Sequence, residues 1–464
     1  MAQDIDVRDA GARGEPRAQP ARTGIAELQQ KAGAFAFAVG KYRWSICFIL
    51  FLAATINYVD RQIIGVLKPD LSKLYGWTEK DYGNIVFWFQ VAYAIGMVSM
   101  GWLLDKIGTK RGFAVAASVW GLAATGHVLA TSALGFKLAR FGLGLGEAGM
   151  FPAAVKVIAQ WFPKRERAFA MGLFNSGTNV GAIVTPLMLP IVVPVFGMGT
   201  AFVFSGVLAL LWVGLWLAKF HPPDEHPSVT QREKDWIASD PAPVYPKIPW
   251  LRLLPWRQTW AYAIGKFLID PIWWLYLFWV PGFLNQKHGL TLTKIGLPLV
   301  TIYLISDVGS IFGGWLSSTF IRHGWSINRA RKTTMLICAG LVAPIVFASE
   351  AKSTWTAVVL IGLATAGHQG FSANLFTLTS DLFPTKAVGS VVGFGGMGGA
   401  IGGIFIAQAA GSILQAMGPS GYYVLLLLPP AAYVLAISII HVLSPRLEPI
   451  RPQDLPEGPP QPAR

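Results

Sequence analysis

Apolar runs of about twenty residues recur along nearly the whole chain, separated by short polar or basic stretches. A helix of about that length crosses the hydrocarbon core of a bilayer. The pattern predicts twelve such spans: 44–67, 84–104, 112–132, 137–160, 168–195, 200–220, 258–285, 296–320, 333–350, 354–380, 387–415 and 420–443. Several hold Gly and Pro, which membrane helices tolerate because neighbouring groups satisfy the freed backbone. The expected class is an all-α membrane protein with twelve transmembrane helices.

Two of the spans break their own pattern. The first, WSICFILFLAATINYVDRQIIGVL, carries Asp60 and Arg61 side by side; the fourth, ARFGLGLGEAGMFPAAVK, carries Arg140 and Glu147. An ionised group inside a bilayer costs at least a few kcal/mol, so it persists where it faces a protein interior or a polar path. Two spans with the same acid–base mixture point to a polar pathway through the molecule.

Composition agrees. The chain of 464 residues is 53% hydrophobic and 13% charged, against about 25% charged in a soluble domain. The basic clusters Lys106/Lys110/Arg111, Lys164/Arg165/Arg167 and Arg322/Arg329/Arg331/Lys332 follow spans two, four and eight, always on one side. Basic loops mark the cytoplasmic side. Both termini and the linker 221–256 are placed there too. Lys68, Lys73 and Lys80 on the opposite side are the exception. The net charge of +14 is therefore read as a topology signal. It is not read as a nucleic-acid footprint, because the basic residues are not gathered in one stripe.

The expected organisation is a mobile tail over 1–40, a six-helix half over 41–220, the linker, a second half over 257–445, and a mobile tail over 446–464. Residues 1–40 lack a signal-peptide pattern, and the Pro-rich C-terminal RPQDLPEGPPQPAR cannot bury a core. Cys47 and Cys338, the two cysteines, fall within spans and imply no disulfide framework.

The chain also repeats. A shift of 221 residues superposes Phe162-Pro163 on Phe383-Pro384, and pairs Gly146, Gly149, Gly172, Gly177 and Gly181 with Gly367, Gly370, Gly393, Gly398 and Gly402. A shift of about 213 pairs GWLLDKIGTKRG (101–112) with GWLSSTFIRHGW (314–325). Two pseudo-symmetric six-helix halves are a transporter plan, with substrate bound near the midplane between them.

GWLLDKIGTKRG resembles the cytoplasmic signature of the major facilitator superfamily, matched here by Gly101, Asp105, Gly108, Lys110 and Arg111. NYVDRQ, ARFGLGLGEAGMFPAAVK, QWFPKRERAFAMGLFNSGTNVGA and FHPPDEHPSVTQREKDWI resemble the anion:cation symporter family, and within it bacterial hexuronate transporters. DPIWWLYLFWVPGFL and GHQGFSANLFTLTSDLFP carry the likeness into the second half, so that it covers roughly 44–445. The resemblance implies the major facilitator fold, alternating access, proton symport and an organic-anion substrate. It makes Asp60 and Glu147 proton carriers. It also implies a bacterial inner-membrane protein, expected to act as a monomer, with a sugar acid, protons and the lipid bilayer as its partners and no cofactor or metal. Sialin and the vesicular glutamate transporters are distant relatives within the family, so substrate varies.

An organic acid enters a low-dielectric cavity as an anion, and a guanidinium receives it with two parallel hydrogen bonds. Arg61 and Arg140 are the candidates. Each has a competing role, neutralising Asp60 or Glu147, and the two roles coexist if substrate competes for the arginine. Proton coupling needs an acid neutral in one state and ionised in another. Glu147 lies two turns after Arg140 on the same helical face, beside Gly144, Gly146 and Gly149, which are read as leaving room for a cavity. Asp60 points about 100° away from Arg61. Asn57 stands within a turn of both.

His368 falls opposite Glu147 under the repeat. Relay, substrate contact and plain packing are all open to it, with Gln369, Ser372 and Asn374 beside it. Trp273, Trp274 and Tyr276 are candidates to pack a sugar ring. Tyr58, Tyr93, Asn175 and Asn179 are candidates to bond hydroxyls. Lipid or core packing competes for every aromatic. Asp105, Lys110 and Arg111 are read as gate residues. Asp270 and Asp307 stay unassigned. No phosphate loop, HExxH, paired Cys/His spacing or GxSxG elbow is present, so no enzyme reading competes. The expected function is proton-coupled import of a hexuronate such as galacturonate or glucuronate. The alternatives are an aldonate, an aldarate or a small monocarboxylate, and from another class a channel or a sensor.

Overall fold

The computed structural model describes residues 41–239, 253–383, 385–448 and 450. The expected tail over 1–40, most of the expected tail over 446–464 and part of the linker lie outside the described residues. The side chains of Asp105, Lys164 and Arg165 do too.

The helices are α1 (Tyr42–Tyr75), α2 (Glu79–Ile107), α3 (Thr109–Gly126), α4 (Ala133–Glu147), α5 (Met150–Trp161), α6 (Lys164–Phe196), α7 (Met198–Lys219), α8 (Gln231–Ala238), α9 (Arg257–His288), α10 (Gly296–Arg322), α11 (Ile327–Val342), α12 (Thr354–Leu382), α13 (Thr385–Met417) and α14 (Gly421–Leu443). Among the described residues, ten segments are long and apolar enough to cross a membrane. The last of them, Ser390–Leu443, contains the turn Gly418–Ser420 that divides α13 from α14. α12 is not among the ten, because the polar stretch around His368, Gln369, Ser372 and Asn374 dilutes its apolar character.

Three elements depart from the expected spans. The fourth span is two helices, broken at Ala148–Gly149 directly after Glu147. Pro152 sits in the first turn of α5, where its missing N–H costs nothing. The ninth span ends as a tighter helix over Ala343–Glu350, with Pro344 in its first turn. α1 runs eight residues past the predicted end at 67. It does so because Lys68 is buried and its Nζ pairs with Glu79 Oε2 at 2.6 Å. Lys68 is therefore an interior partner, which removes it from the basic-loop pattern.

The repeat is visible as a contact made twice. On α6, a Cβ at Gly177 or Gly181 would run into the carbonyl oxygens of Phe51 or Thr55 on α1. On α13, Gly398 and Gly402 stand in the same way against the carbonyls of Ala263 and Phe267 on α9. Small residues let backbones approach where lipid offers no hydrophobic drive to associate. The glycines beside Glu147 act likewise, which corrects the expectation that they leave a cavity. Gly144 is filled by the Phe89 carbonyl of α2, and Gly146 by the backbone of α3 at Ala116 and Trp120.

The halves join through α2 with α13, α1 with α9, and α6 with α10. These contacts concentrate at one end. Gly83 and Gly411 bring α2 and α13 backbone to backbone, and Asn84 receives a hydrogen bond from Gln408 at 3.0 Å. Tyr82 donates to the Phe278 carbonyl at 2.8 Å. Gln286 donates to Glu79 at 2.8 Å, extending the Lys68–Glu79 pair into the other half. This is the sealed end. At the other end, the repeat-related Gly101 and Gly314, and Gly172 and Gly393, have open space where a Cβ would project. The linker helix α8 docks at this open end, where Glu233 accepts from the Arg43 backbone N–H and pairs with its guanidinium at 3.2 Å.

Candidate functional site

α1 places Asn57, Tyr58, Asp60 and Arg61 on successive faces of its middle, and all but Tyr58 are buried. Asp60 and Arg61 part company as helical geometry requires. Asp60 turns to α3, where the Trp120 indole donates to its Oδ2 at 2.5 Å. Arg61 turns to α4, where its Nε donates to Glu147 Oε2 at 2.5 Å. Arg61 is 1% exposed and Glu147 0%. Removing one member of such a pair strands a buried charge, at a cost of about 3–5 kcal/mol.

The pairing crosses between the spans. Arg140, two turns before Glu147, does not bond it. It donates to the main-chain carbonyls of Asp60 at 3.4 Å and Arg61 at 3.1 Å. That anchors α4 to α1 and leaves Arg61 as the arginine held by a carboxylate.

Aromatic rings surround the Arg61 guanidinium. Its centre lies 4.7 Å from the Tyr93 ring, 5.1 Å from Tyr58, 5.2 Å from Trp274 and 5.8 Å from Phe89. Trp274 comes from the other half, so the cage closes across the domain boundary. Cation–π contacts contribute about 0.5–1 kcal/mol each at exposed sites and about 2 kcal/mol or more when desolvated. They hold the cation without consuming its hydrogen-bond donors. Arg61 Nη2 and Glu147 Oε1 make no hydrogen bond, and neither do the side chains of Asn57, one turn before Arg61 on α1, and of Gln90, which lies with Trp274 against Gly403. Buried polar atoms are normally satisfied by protein, water or ligand, so this cluster presents donors and acceptors that a polar solute can use.

The second half contributes a different set. His368 on α12 shares a short hydrogen bond with the Tyr433 hydroxyl of α14, and its ring stacks on Trp273 at 5.1 Å. Tyr276 is buried with its hydroxyl unbonded.

Other expected residues sit elsewhere. The Asn374 amide donates to the carbonyls of Gly313 at 3.0 Å and Gly370 at 2.9 Å, which ties α12 to α10. Ser372 is buried and Gln369 half-buried. Asn175 is exposed. Asn179 accepts from its neighbour Thr178, at 3.4 Å. Around the basic signature, Gly108 caps α2 with φ +83. Lys110 Nζ meets His221 Nε2 at 3.0 Å. Burial and the Lys110 charge both lower the His221 pKa, which leaves a neutral ring to accept. Arg111 is exposed.

Sequence reasoning missed Trp120, Phe89, Gln90 and Tyr433, which reach the site only through tertiary packing. It also passed over Lys266, a lysine inside a long apolar run whose signal was the same as that of Arg61.

A family model described as Major Facilitator Superfamily matches residues 50–407. The Hexuronate transporter of Escherichia coli is 28% identical over 390 residues, covering 83% of this chain and 90% of the relative. A probable galactarate/D-glucarate transporter of the same organism is 29% identical over 367 residues, covering 75% of this chain and 82% of the relative. Among solved structures, a bacterial homolog to the human lysosomal transporter Spinster superposes with TM-score 0.69 at 16% identity, over 88% of this chain and 98% of that one.

Proposed function

The chain belongs to the major facilitator superfamily, a multi-pass membrane transporter and not an enzyme, and from that premise we propose that it is a proton-coupled symporter of a sugar acid. The substrate binds as an anion at Arg61, near the middle of the membrane. The protein sits in a bacterial inner membrane with both termini and the open end in the cytoplasm. The observation that carries this reading is the Arg61–Glu147 pair at 2.5 Å, buried in an aromatic cage, with one guanidinium nitrogen and one carboxylate oxygen unbonded.

The pair works as an exchange. Glu147 holds Arg61 when the site is free of substrate, which keeps the interior neutral. A substrate carboxylate takes the guanidinium, and Glu147, left without its counter-charge in a low-dielectric setting, takes up a proton. One proton thus accompanies one negative charge. Asp60, held by Trp120, is the second acid available for a proton. Trp273, Trp274 and Tyr58 offer faces for the sugar carbons. Relatives are named for hexuronates, for D-galactonate, and for galactarate and D-glucarate. All three classes fit an Arg61-centred site: a hexuronate such as galacturonate or glucuronate, an aldonate, or a diacid, which one further feature of α9 favours.

The test is binding and uptake with purified protein in liposomes. Galacturonate, glucuronate and galactarate bind and drive counterflow, while galactose and glucose do not. Equal binding of the neutral parent sugars would sink the anion site, and flux without counterflow would make the protein a pore.

A further inference from the structure

One face of α9 packs against the charged cluster of the first half, and it does not end there. Phe278 lies 6.0 Å from the Arg140 guanidinium, and Trp274 lies 5.2 Å from that of Arg61. The same face continues at four-residue steps through Asp270 to Lys266. Each step is about 6 Å along the axis, so the two residues stand about 6 and 12 Å beyond Trp274, toward the open end. Lys266 Nζ and Asp270 Oδ1 are paired at 2.7 Å, with side chains 8% and 20% exposed.

This pair is not there to stabilise the helix. A base four residues ahead of an acid is the weaker orientation of a helical ion pair, contributing only a few tenths of a kcal/mol. An uncharged pair of residues would avoid the cost of holding ions in a membrane span. The surroundings are shaped around it. Gly399 of α13 makes way for the Asp270 carboxylate, which a Cβ there would strike, and the Phe376 ring of α12 lies 4.3 Å from the Lys266 ammonium. The titratable groups facing it are Tyr262 on α9, His368 on α12 and Tyr433 on α14. α13 presents glycines there. His368 stacks on Trp273, the neighbour on α9 of the Trp274 that cages Arg61. By helical rise the second pair thus stands about 6–12 Å along α9 from Trp274 at the first pair, a span that the two ends of an extended six-carbon diacid can reach.

We propose that Lys266–Asp270 is a second anion-exchange pair that receives the distal carboxylate of a six-carbon dicarboxylate, so that an aldarate is preferred over a sugar acid charged at one end only. The inference rests on the sugar-acid reading of Arg61–Glu147. The chemistry repeats that pair. The distal carboxylate takes the ammonium, and Asp270 takes up a proton in exchange. Two protons then enter with each dianion, and the interior stays neutral.

The experiment measures binding of galactarate, galactonate and galactose to the purified full chain. Galactonate carries a hydroxyl where galactarate carries its second carboxylate. Wild type should bind galactarate at least about tenfold more tightly than galactonate, the size of one charge-assisted hydrogen bond. Lys266→Gln should remove that preference and leave galactonate within about threefold, while Lys266→Arg keeps it. Asp270→Asn should reduce proton uptake per galactarate from two to one. If wild type binds galactonate as tightly as galactarate, or Lys266→Gln weakens both alike, the second pair is not a binding site. If neither acid outbinds galactose, the Arg61 reading itself falls and takes this inference with it. The wild-type comparison stands even if a variant fails to fold.

Discussion

Glu147 and His368 occupy equivalent places in the two halves, and they have become different things. In the first half the position carries an acid, bonded to a buried arginine from α1 and caged by aromatic rings. In the second it carries an imidazole, bonded to a tyrosine hydroxyl and stacked on a tryptophan. The scaffold around them is the same, since Gly177 and Gly181 press α6 on α1 as Gly398 and Gly402 press α13 on α9. The repeat therefore fixes where backbones meet and leaves the central side chains free to diverge. In the function proposed above, charge exchange at the midplane belongs to the first half, and shaping of the sugar to the second. Of the ion pairs that the second half adds, Lys266–Asp270 lies within the α9 span, off the midplane toward the open end, and Arg331–Asp381 ties α11 to α12.

Glu147→Gln is the largest break to this comparison. The amide keeps the shape of the side chain and cannot ionise. Accumulation driven by a proton gradient should be abolished, because the empty carrier cannot reset with Arg61 unneutralised. Exchange of internal for external substrate should survive and lose its pH dependence. Wild-type, pH-dependent accumulation in this variant would move coupling to Asp60 or to the second half.

Arg61→Lys comes next. A lysine keeps the charge but loses the planar fork that bonds Glu147 and a carboxylate together. The loss of a charge-assisted hydrogen bond, about 1.5–3 kcal/mol, should weaken sugar-acid binding about ten- to hundredfold. A dissociation constant within threefold of wild type would show that the fork is not what reads the anion.

The scaffold, by contrast, should respond symmetrically. Gly181→Ala drives a methyl into the Thr55 carbonyl, and Gly402→Ala drives one into that of Phe267. Each should cost about 1–3 kcal/mol of stability, read as a lowered thermal midpoint. A large effect in one half alone would mean that the two crossings are not equivalent.

Much of this was legible in the chain because membrane helices are set by local composition. Span positions, the repeat and the candidate charges all follow from hydropathy, spacing and the cost of burying ions. What could not be read was which charge meets which. Asp60 and Arg61 are neighbours in sequence and still bond different helices, and Arg140 shares a face with Glu147 yet bonds main-chain carbonyls of α1. Those choices are made by helix packing. Lys68 looked like a loop lysine because its partner Glu79 follows a turn that only the fold brings back. The glycines around Glu147 looked like space, but other backbones fill it. Asn374 was grouped with His368 by proximity in sequence, although its amide is spent on joining α12 to α10.

His368→Gln probes the far side of the comparison and should have the smallest effect. The ring is held by neutral partners, Tyr433 and Trp273, so its removal forfeits one hydrogen bond and one stacked face. A neutral hydrogen bond contributes about 0.5–1.5 kcal/mol net. Sugar-acid affinity should therefore fall about two- to tenfold. Proton-driven accumulation should persist with the wild-type pH profile, because the exchanging charges at Arg61 and Glu147 are intact. The measurement is uptake across a pH series in liposomes, with His368→Gln beside Glu147→Gln. If His368→Gln flattens the pH profile while Glu147→Gln keeps it, proton exchange sits in the second half, and the division of labour between the halves is the reverse of the one drawn from their geometry.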